Sequence, residues 1–417
     1  MSTHENGNGA RDAVILSATR TPIGKFMGAL GEMPATTLGA IAIKAAVAQS
    51  GIDPATVYEV ILGNVISAGL GQAPARQAAL GGGLPDTVGA ASVNKVCGSG
   101  LKAVMLAANA IAAAEADVFV AGGMESMSQA PYLLPKARQG LRYGHAEVVD
   151  TVLGDGLWCA FQDWAMGNAA EFIARQFEVT REEMDQFAVN SHEKAAAATA
   201  AGHFRAEITP VEIKGRKGVT IVDVDEPIRA TFSNSGYTMT TDLASLGRLR
   251  PAFEADGQVT AGNAPGLNDG AAALVVTSRV EAERQGLAPL ARIVGYTHAA
   301  VPPQWIFAAP ARAIPRLLDK IGWQMADVDL FEVNEAFAAQ ALANGVELGQ
   351  KGYNWDWAKV NVHGGAVALG HPIGASGGRI LVTLLHALRQ RGLKRGVASL
   401  CLGGGEAVAL AVELENN

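Results

Sequence analysis

Two cysteines lie beside glycine-rich bends. Cys97 lies in VCGSGLKAV, where the strand-like ASVNKV is followed by GSG and a helical pattern. The positive end of a helix favours a thiolate, which is the nucleophilic form of cysteine, so this position predicts a lowered pKa for the Cys97 thiol. A small cysteine packed in the core is the alternative interpretation.

Cys401 lies in LCLGGGEA, at the end of the strand-like GVASLCL. A second thiol near the first could carry a proton, because a thiol titrates not far above neutral pH. The glycines from Gly403 to Gly405 leave backbone N–H groups free to face a ligand. A core role is the alternative for Cys401 and the favoured interpretation for Cys159, in LWCAF.

A histidine and an asparagine complete the reactive set. His371 lies in ALGHPIGASGG, at a bend before a helix predicted to begin near Ser376, and could take a thiol proton or donate to a carbonyl oxygen. Asn334 follows the strand-like DVDLFEV, and its amide could fix a water or donate to an oxyanion. Glu335 beside it is expected to be a structural carboxylate at a helix start. A core or capping role is the alternative for His371 and Asn334.

Together these residues supply a nucleophile, a proton shuttle and an anion hole, which are the functions that acyl transfer requires. The cysteines at 97, 159 and 401 do not have metal-site spacing. No strand–GxGxxG–helix unit has the acidic residue expected about 20 residues later, and no P-loop or metalloprotease helix is present. These patterns disfavour nicotinamide, ATP and metalloprotease chemistry.

Strand-length apolar runs alternate with amphipathic helical runs, which predicts an α/β fold with largely buried sheets. AVILSA (13–18) and EVILGNVI (59–66) are predicted strands. Residues 36–51 are a predicted helix whose buried face is Leu38, Ile41, Ala45 and Ala48. The helix after Cys97 has an apolar stripe of Leu101, Val104, Met105, Ala108 and Ile111.

A weak internal repeat relates residues 92–126 to residues 360–407. Each runs strand, glycine bend, helix and a buried strand that breaks at glycines before a glutamate, Glu125 or Glu406. Two similar halves are therefore expected. In residues 128–267, loops that contain Gly, Pro and Met alternate with charged helical segments. This composition predicts an insertion that carries a lid or binding surface.

Composition excludes several classes of partner. The 417 residues carry a net charge of −7, and the basic run KGRKG is short, so nucleic-acid binding is not expected. No segment has the roughly 20 apolar residues of a membrane span. The first dozen residues are polar and predict a disordered lead without a signal peptide. Free cysteines favour a reducing compartment, the cytoplasm.

In combination these motifs resemble the thiolase family, from SATRTPIGKF (17–26) to the C-terminus. The resemblance includes AGGMESMSQAPY (121–132) and TAGNAPGLNDGAAA (260–273), and it is strongest to the short-chain acetyl-CoA acetyltransferases. It implies Cys97 as the acylated nucleophile, His371 as its activator and Asn334 as the holder of a water in one oxyanion hole. It further implies Cys401 as the acid–base for the acetyl methyl carbon. The N–H groups of Cys97 and Gly403 would form the other hole.

The resemblance implies an α/β fold of five layers, αβαβα, with two similar βαβαβαββ halves and an inserted loop domain. The expected division is an N-terminal half at 1–127 completed by 268–287, a loop domain at 128–267 that binds CoA, and a C-terminal half at 288–417. A homodimer or homotetramer is expected, with acyl-CoA and coenzyme A as ligands and no metal or other cofactor. The positions that match the family's CoA site are Leu157, Met166, Arg229, Ser245, Ala261, Pro265, Ala336 and Phe337.

Several positions depart from the short-chain pattern. Ala165 replaces a histidine, Pro265 replaces a serine, and the segment after Arg229 is longer than usual. A 3-ketoacyl-CoA thiolase for longer or branched chains is therefore one alternative function. A non-catalytic acyl-CoA or lipid-binding protein on the same scaffold is another. A ketosynthase is a weaker alternative, because that class lacks a second cysteine at the Cys401 position.

Overall fold

The fold is described from a computed structural model that covers residues 11–216 and 218–415. Most of the predicted polar lead, residues 1–10, lies outside these. The strands are β1 (Ala13–Arg20), β2 (Gly24–Lys25), β3 (Glu59–Gly63), β4 (Gly89–Val93), β5 (Val118–Ser126), β6 (Tyr132–Leu133), β7 (Val149–Asp150), β8 (Trp158–Cys159), β9 (Trp164–Ala165), β10 (Val211–Gly215), β11 (Gly218–Val222), β12 (Ala230–Ser233), β13 (Gly236–Met239), β14 (Asn268–Ser278), β15 (Ala291–Ala300), β16 (Leu330–Val333), β17 (Arg395–Leu402) and β18 (Glu406–Leu414).

The α-helices are α1 (Ala35–Ser50), α2 (Pro74–Gly81), α3 (Ser99–Ala112), α4 (Met166–Gln176), α5 (Arg181–Ala200), α6 (Leu243–Gly247), α7 (Arg279–Arg284), α8 (Pro310–Ile321), α9 (Ala338–Gln350), α10 (Ala366–Leu369) and α11 (Ile373–Arg391). A π-helical segment spans Val152–Leu157, and a 3₁₀ segment spans Pro303–Ala308.

One large mixed sheet contains the two halves of the molecule. Its strand order is β16-β17-β18-β15-β1-β14-β5-β3-β4, and β2 pairs with β14. Within this sheet, the strands of the two halves pair where β1 meets β15, at Val14 opposite Arg292 and Ile15 opposite Ala291. β14 pairs with both β1 and β5, so the segment after residue 267 supplies a central strand of the N-terminal half.

Helices cover both faces of each half, and α3 and α11 lie between the halves. Alternate residues of β14 pack inward with α3 and α11 and outward with α1 and α2. Alternate residues of β18 likewise pack inward against α3 and α11 and outward against α8. This is the five-layered α/β arrangement, and the prediction of buried sheets and two similar halves is confirmed.

Some predicted boundaries and faces differ from the structure. The predicted strand at residues 59–66 ends at Gly63, because Val65 and Ile66 donate their N–H groups to Glu125 instead of to a neighbouring strand. The prediction of which face of α1 is buried was wrong, since Ala48 is exposed and Ala42, Ile43 and Ala46 are buried. Alanines occur all around this helix, so apolar spacing alone does not select a face. The α3 stripe is confirmed as buried.

The predicted start of α11 and the predicted break in β5 were also wrong. α11 begins at Ile373 rather than near Ser376, so Ser376 lies within its first turn. β5 does not break at Gly122 and Gly123, which are regular members of a strand that continues to Ser126. Close backbone approaches explain these glycines, since a Cβ on Gly123 would lie 2.0 Å from the oxygen of Gly374 in α11 and a Cβ on Gly122 would lie 2.0 Å from the oxygen of Ala272 in β14.

Residues 128–267 form short hairpins and the helices α4–α6. α4 packs on α9, on the Pro303–Ala308 segment and on Cys401, so the insertion reaches the end of β17. In the part of the chain that the structure describes, no helix is long and apolar enough to cross a membrane. The three-part domain division stays a prediction.

Candidate active site

Cys97 lies at a tight bend between β4 and α3, two residues before the first residue of that helix. Val96 has a φ of 47°, which is unusual for a β-branched residue. The bend is closed by hydrogen bonds at each end: Lys95 N donates to Ser99 Oγ at 2.8 Å, and Val96 N donates to Asn94 Oδ1 at 2.9 Å. The cysteine is thereby presented at the start of a helix.

His371 is positioned from three sides. Gly370 turns the chain with a φ of 101°, a conformation that favours glycine. The backbone N–H of His371 donates to Asn268 Oδ1 at 2.8 Å, and its ring Nδ1 lies 2.6 Å from Ser376 Oγ. Because the Ser376 hydroxyl donates to the Pro372 oxygen at 2.9 Å, Ser376 Oγ accepts from Nδ1–H. Nε2 therefore carries a lone pair and can act as a base.

Asn334 meets His371 at that nitrogen. Its Nδ2 lies 3.4 Å from His371 Nε2, and the residue is fully buried directly after β16. Asn334 Oδ1 is buried and has no hydrogen-bond partner among the described residues. A buried unpaired amide oxygen can accept from a bound water, which is the role expected for this side chain.

The predicted lowering of the Cys97 pKa was wrong. Burial raises the pKa of Cys97 to about 12, although the N–H groups of Cys97 and Gly403 act in the opposite direction. Burial lowers the pKa of His371 to about 3, with a smaller contribution from the positive charge of Arg379. The site thus combines a protonated thiol with a neutral imidazole, and removing the thiol proton requires a base.

Cys401 lies at the end of β17 and is buried against α4 and α9. Burial raises its pKa well above the usual value, and negative charge on Cys97 raises it further. The two sulfurs are therefore electrostatically coupled. A protonated Cys401 can donate to a carbanion, whereas its thiolate would be a strong base.

Cys97, His371, Cys401 and Gly403 line one apolar cavity of about 310 Å³. Larger hollows elsewhere do not contain these groups. Six of the positions predicted to contact CoA also line this cavity: Leu157, Met166, Ala261, Pro265, Ala336 and Phe337. Ala165, which replaces a histidine in the short-chain pattern, lines it as well.

Two of the predicted CoA positions do not line the cavity. Arg229 lies beside it, since its Nη2 donates to the oxygen of Ala261 at 2.6 Å. Ser245 is half-buried within α6, where its hydroxyl donates to the Asp242 oxygen at 2.8 Å. Their predicted contacts with CoA stay predictions.

Sequence reasoning missed several residues of the site. The role of Ser376 could have been inferred from its place in the first turn of a helix, five residues after a histidine. Phe253, Ile306 and Phe307 line the cavity from distant segments, and no local pattern marks them. Phe307 packs on Phe337 with ring centroids 5.4 Å apart.

Two buried carboxylates hold the segments that carry the reactive groups. Glu125 accepts from the N–H groups of Val65, Ile66 and Gly374 at 2.9–3.2 Å, and burial raises its pKa to about 7. It thereby fixes the start of α11, next to His371.

Glu335 was expected at a helix start but lies three residues before α9. Its carboxylate instead accepts from Ser191 Oγ at 2.7 Å, Asn361 Nδ2 at 2.9 Å and Val367 N at 3.1 Å. These bonds tie the residue next to Asn334 to α5 and α10. The carboxylate is thus structural, as predicted, but it belongs to a different helix terminus.

Comparison with known proteins gives one consistent picture. Residues 13–280 match the model of the thiolase N-terminal domain, and residues 287–414 match that of the thiolase C-terminal domain. The acetyl-CoA acetyltransferase of Pseudomonas aeruginosa is 53% identical over 403 residues, which cover 96% of this chain and 99% of the relative. That of Cupriavidus necator is 54% identical over 403 residues, with the same coverage. The crystal structure of the Bacillus anthracis acetyl-CoA acetyltransferase is 44% identical, with a TM-score of 0.92 over 98% of this chain and 100% of that one.

Proposed function

The chain belongs to the thiolase family, and from that premise we propose that it is an acetyl-CoA C-acetyltransferase. It would condense two acetyl-CoA molecules to acetoacetyl-CoA and CoA, and it would catalyse the reverse thiolysis. The observation that carries the proposal is the convergence of Cys97, His371 and Cys401 on one apolar cavity, with Asn334 against the histidine. The near-full-length similarity to acetyl-CoA acetyltransferases supports it.

In the first half-reaction, Cys97 attacks the thioester carbonyl of acetyl-CoA. His371 Nε2 takes the thiol proton, since the bond from Nδ1–H to Ser376 leaves that nitrogen free. The N–H groups of Cys97 and Gly403, both of which favour negative charge on the Cys97 sulfur, would stabilise the carbonyl oxygen as it gains negative charge. His371 returns the proton to the CoA sulfur as the carbon–sulfur bond breaks, so CoA leaves as the thiol and an acetyl group remains on Cys97.

In the second half-reaction, Cys401 passes its own proton to His371 Nε2, which is neutral again, and the Cys401 thiolate then removes a proton from the methyl group of a second acetyl-CoA. The carbanion is stabilised as an enolate, whose oxygen would face the protonated His371 and a water held by Asn334. Attack on the acetyl-cysteine forms the carbon–carbon bond and breaks the carbon–sulfur bond, and the released Cys97 thiolate takes the proton from His371. The apolar walls exclude bulk water, which strengthens each of these electrostatic interactions.

The proposed partners are acyl-CoA and coenzyme A, with no metal or redox cofactor needed for either half-reaction. The proposal includes a homodimer or homotetramer located in the cytoplasm. Leu157, Met166, Ala261, Pro265, Ala336 and Phe337 would contact the pantetheine and acyl parts of the substrate. Arg229 and Ser245 would lie nearer the nucleotide.

A thiolysis assay tests the proposal directly. Purified protein is given CoA with acetoacetyl-CoA, 3-ketohexanoyl-CoA or a longer homologue, and kcat/KM is compared across the series. We expect the highest value for the four-carbon substrate and background rates for Cys97→Ser. Preference for the longer substrates would replace the proposal with a 3-ketoacyl-CoA thiolase, and absence of turnover would point to a non-catalytic acyl-CoA binder.

A further inference from the structure

An ion pair joins the segments that carry the two reactive cysteines. Lys95 Nζ pairs with a carboxylate oxygen of Glu406. Lys95 lies two residues before Cys97, and Glu406 lies three residues after Gly403. The bridge therefore connects the N-terminal half, at the bend before α3, with the C-terminal half, at the turn between β17 and β18.

The bend that this pair fixes is strained. A valine at a φ of 47° persists only when surrounding contacts hold it there. One side of Val96 faces the turn, since a Cβ on Gly403 would lie 3.1 Å from Val96 Cγ1. The bend and the turn are thus in van der Waals contact, with the ion pair beside them.

The contact between bend and turn has a chemical consequence. The Gly403 N–H acts on the Cys97 sulfur, so it belongs to the opposite half of the molecule from the thiol that it stabilises. Its aim depends on the distance between the two segments. The glycines at 403–405 offer no side chains to pack against the bend.

We propose that Lys95 and Glu406 are positioning residues that clamp the Val96–Cys97 bend against the Gly403 turn and so keep the Gly403 N–H aimed at the Cys97 sulfur. The inference rests on the proposed function only for its consequence in turnover. The clamp itself concerns the free thiol and can be tested without substrate. Neither side chain needs to touch the substrate.

The nearby charges make a second explanation testable. Lys102 on α3 is electrostatically coupled to both members of the pair, and Glu125 acts on Cys97 from β5. If Lys95 and Glu406 acted on Cys97 only through their own charges, removing the cation would raise the thiol pKa and removing the anion would lower it. A clamp predicts the same direction for both removals.

The experiment measures iodoacetamide alkylation of Cys97 against pH, with the modified peptide identified by mass spectrometry. Lys95→Gln and Glu406→Gln are compared with the wild type and with the charge-exchanged Lys95→Glu/Glu406→Lys. Arg292→Gln is the matched control, since it breaks a pair of similar exposure, Arg292 with Glu413, between β15 and β18.

Both single variants are expected to move the alkylation midpoint to higher pH and to slow alkylation about 2- to 10-fold at fixed pH, the scale of one weakened hydrogen bond. The exchanged pair should recover the wild-type profile, and Arg292→Gln should leave it unchanged. Opposite shifts for the two single variants, no shift beyond the control, or failure of the exchanged pair to recover would each overturn the clamp. A protein that is no thiolase would still give an interpretable alkylation profile.

Discussion

At Cys97 two influences on the thiol pKa oppose each other, and burial is the larger. The helix start and two N–H groups favour the thiolate, but the apolar cavity removes the water that would solvate it. His371 is neutral for the same reason, since burial disfavours imidazolium. The resting state therefore combines a thiol and a neutral imidazole in the lining of one cavity.

The raised pKa of Cys97 predicts how the rate of its alkylation depends on pH. A raised pKa keeps the thiol protonated to higher pH, so the rate should still be rising above about 8.5, where an ordinary cysteine reaches its midpoint. The measurement is the iodoacetamide rate between neutral and alkaline pH, with Cys97→Ser as the blank. A midpoint below that of an ordinary cysteine would indicate a preformed thiolate–imidazolium pair and contradict this assignment.

Ser376 fixes the tautomer of His371, and its removal tests that role. Without the hydroxyl, Nδ1–H loses its acceptor and Nε2 is no longer held as the free base. Ser376→Ala should lower kcat about 10- to 100-fold with little change in KM. This loss is smaller than the largest losses that follow removal of a general base itself.

The matched control for Ser376→Ala is Ser17→Ala. That change also removes a buried hydroxyl, which donates to the oxygen of Ala46 at 2.6 Å. Ser17 and Ala46 are both far from the site residues in sequence. Its kcat should stay near that of the wild type. Equal losses in both variants would show that Ser376 acts only through stability.

At the scale of elements, α3 and α11 set the spacing between Cys97 and His371. The two helices cross at glycines: a Cβ on Gly377 would lie 2.3 Å from Leu101 N, and one on Gly100 would lie 2.7 Å from Gly378 N. The helices therefore approach to backbone contact, and any added side-chain atom at the crossing must separate them.

Gly377→Ala should destabilise the protein by about 1–3 kcal/mol, the usual range for overpacking a core. It should also lower kcat, because it moves the elements that carry the nucleophile and its base. The measurements are the free energy of unfolding and thiolysis turnover. Gly349→Ala is the control, since a Cβ there meets nothing within 4 Å on the exposed side of α9 and should stabilise by about 0.5–1 kcal/mol. Similar behaviour of both variants would exclude the crossing as a constraint.

The elements show why sequence reasoning reached some features and missed others. A local signal located α3, because its apolar stripe can be recognised in consecutive residues. The face of α1 depended on which alanines meet the sheet, which is a tertiary choice. The candidate reactive residues were predicted from their motifs, whereas Phe253 and Phe307 enter the cavity only because distant segments fold together.

At the scale of the whole molecule, the two halves share one core. The cluster around α3 and α11 contains Ile15 and Leu274 from one half and Leu400 and Leu410 from the other. Neither half can be removed without exposing those helices. The proposed catalytic groups come from both halves, with Cys97 from the first and His371 and Cys401 from the second.

The shared core predicts one cooperative unfolding transition. The six tryptophans all lie at or after Trp158, so fluorescence follows the inserted segment and the C-terminal half, whereas circular dichroism follows every helix. The two signals should give the same midpoint on chemical denaturation. Separate midpoints would mean that the N-terminal half unfolds on its own and that the common core contributes less than its burial suggests.

The role of Cys97 as the nucleophile is tested most directly by the mass of the protein after incubation with acetyl-CoA. We expect the addition of one acetyl group to Cys97, lost in Cys97→Ser and removed when CoA is added. The acetyl group should persist in Cys401→Ser, because that variant is impaired in carbon–carbon bond making rather than in acylation. No acetylation, or acetylation at Cys401 or Cys159 instead, would contradict the assignment of Cys97 as the nucleophile and with it the proposed acyl-transfer mechanism.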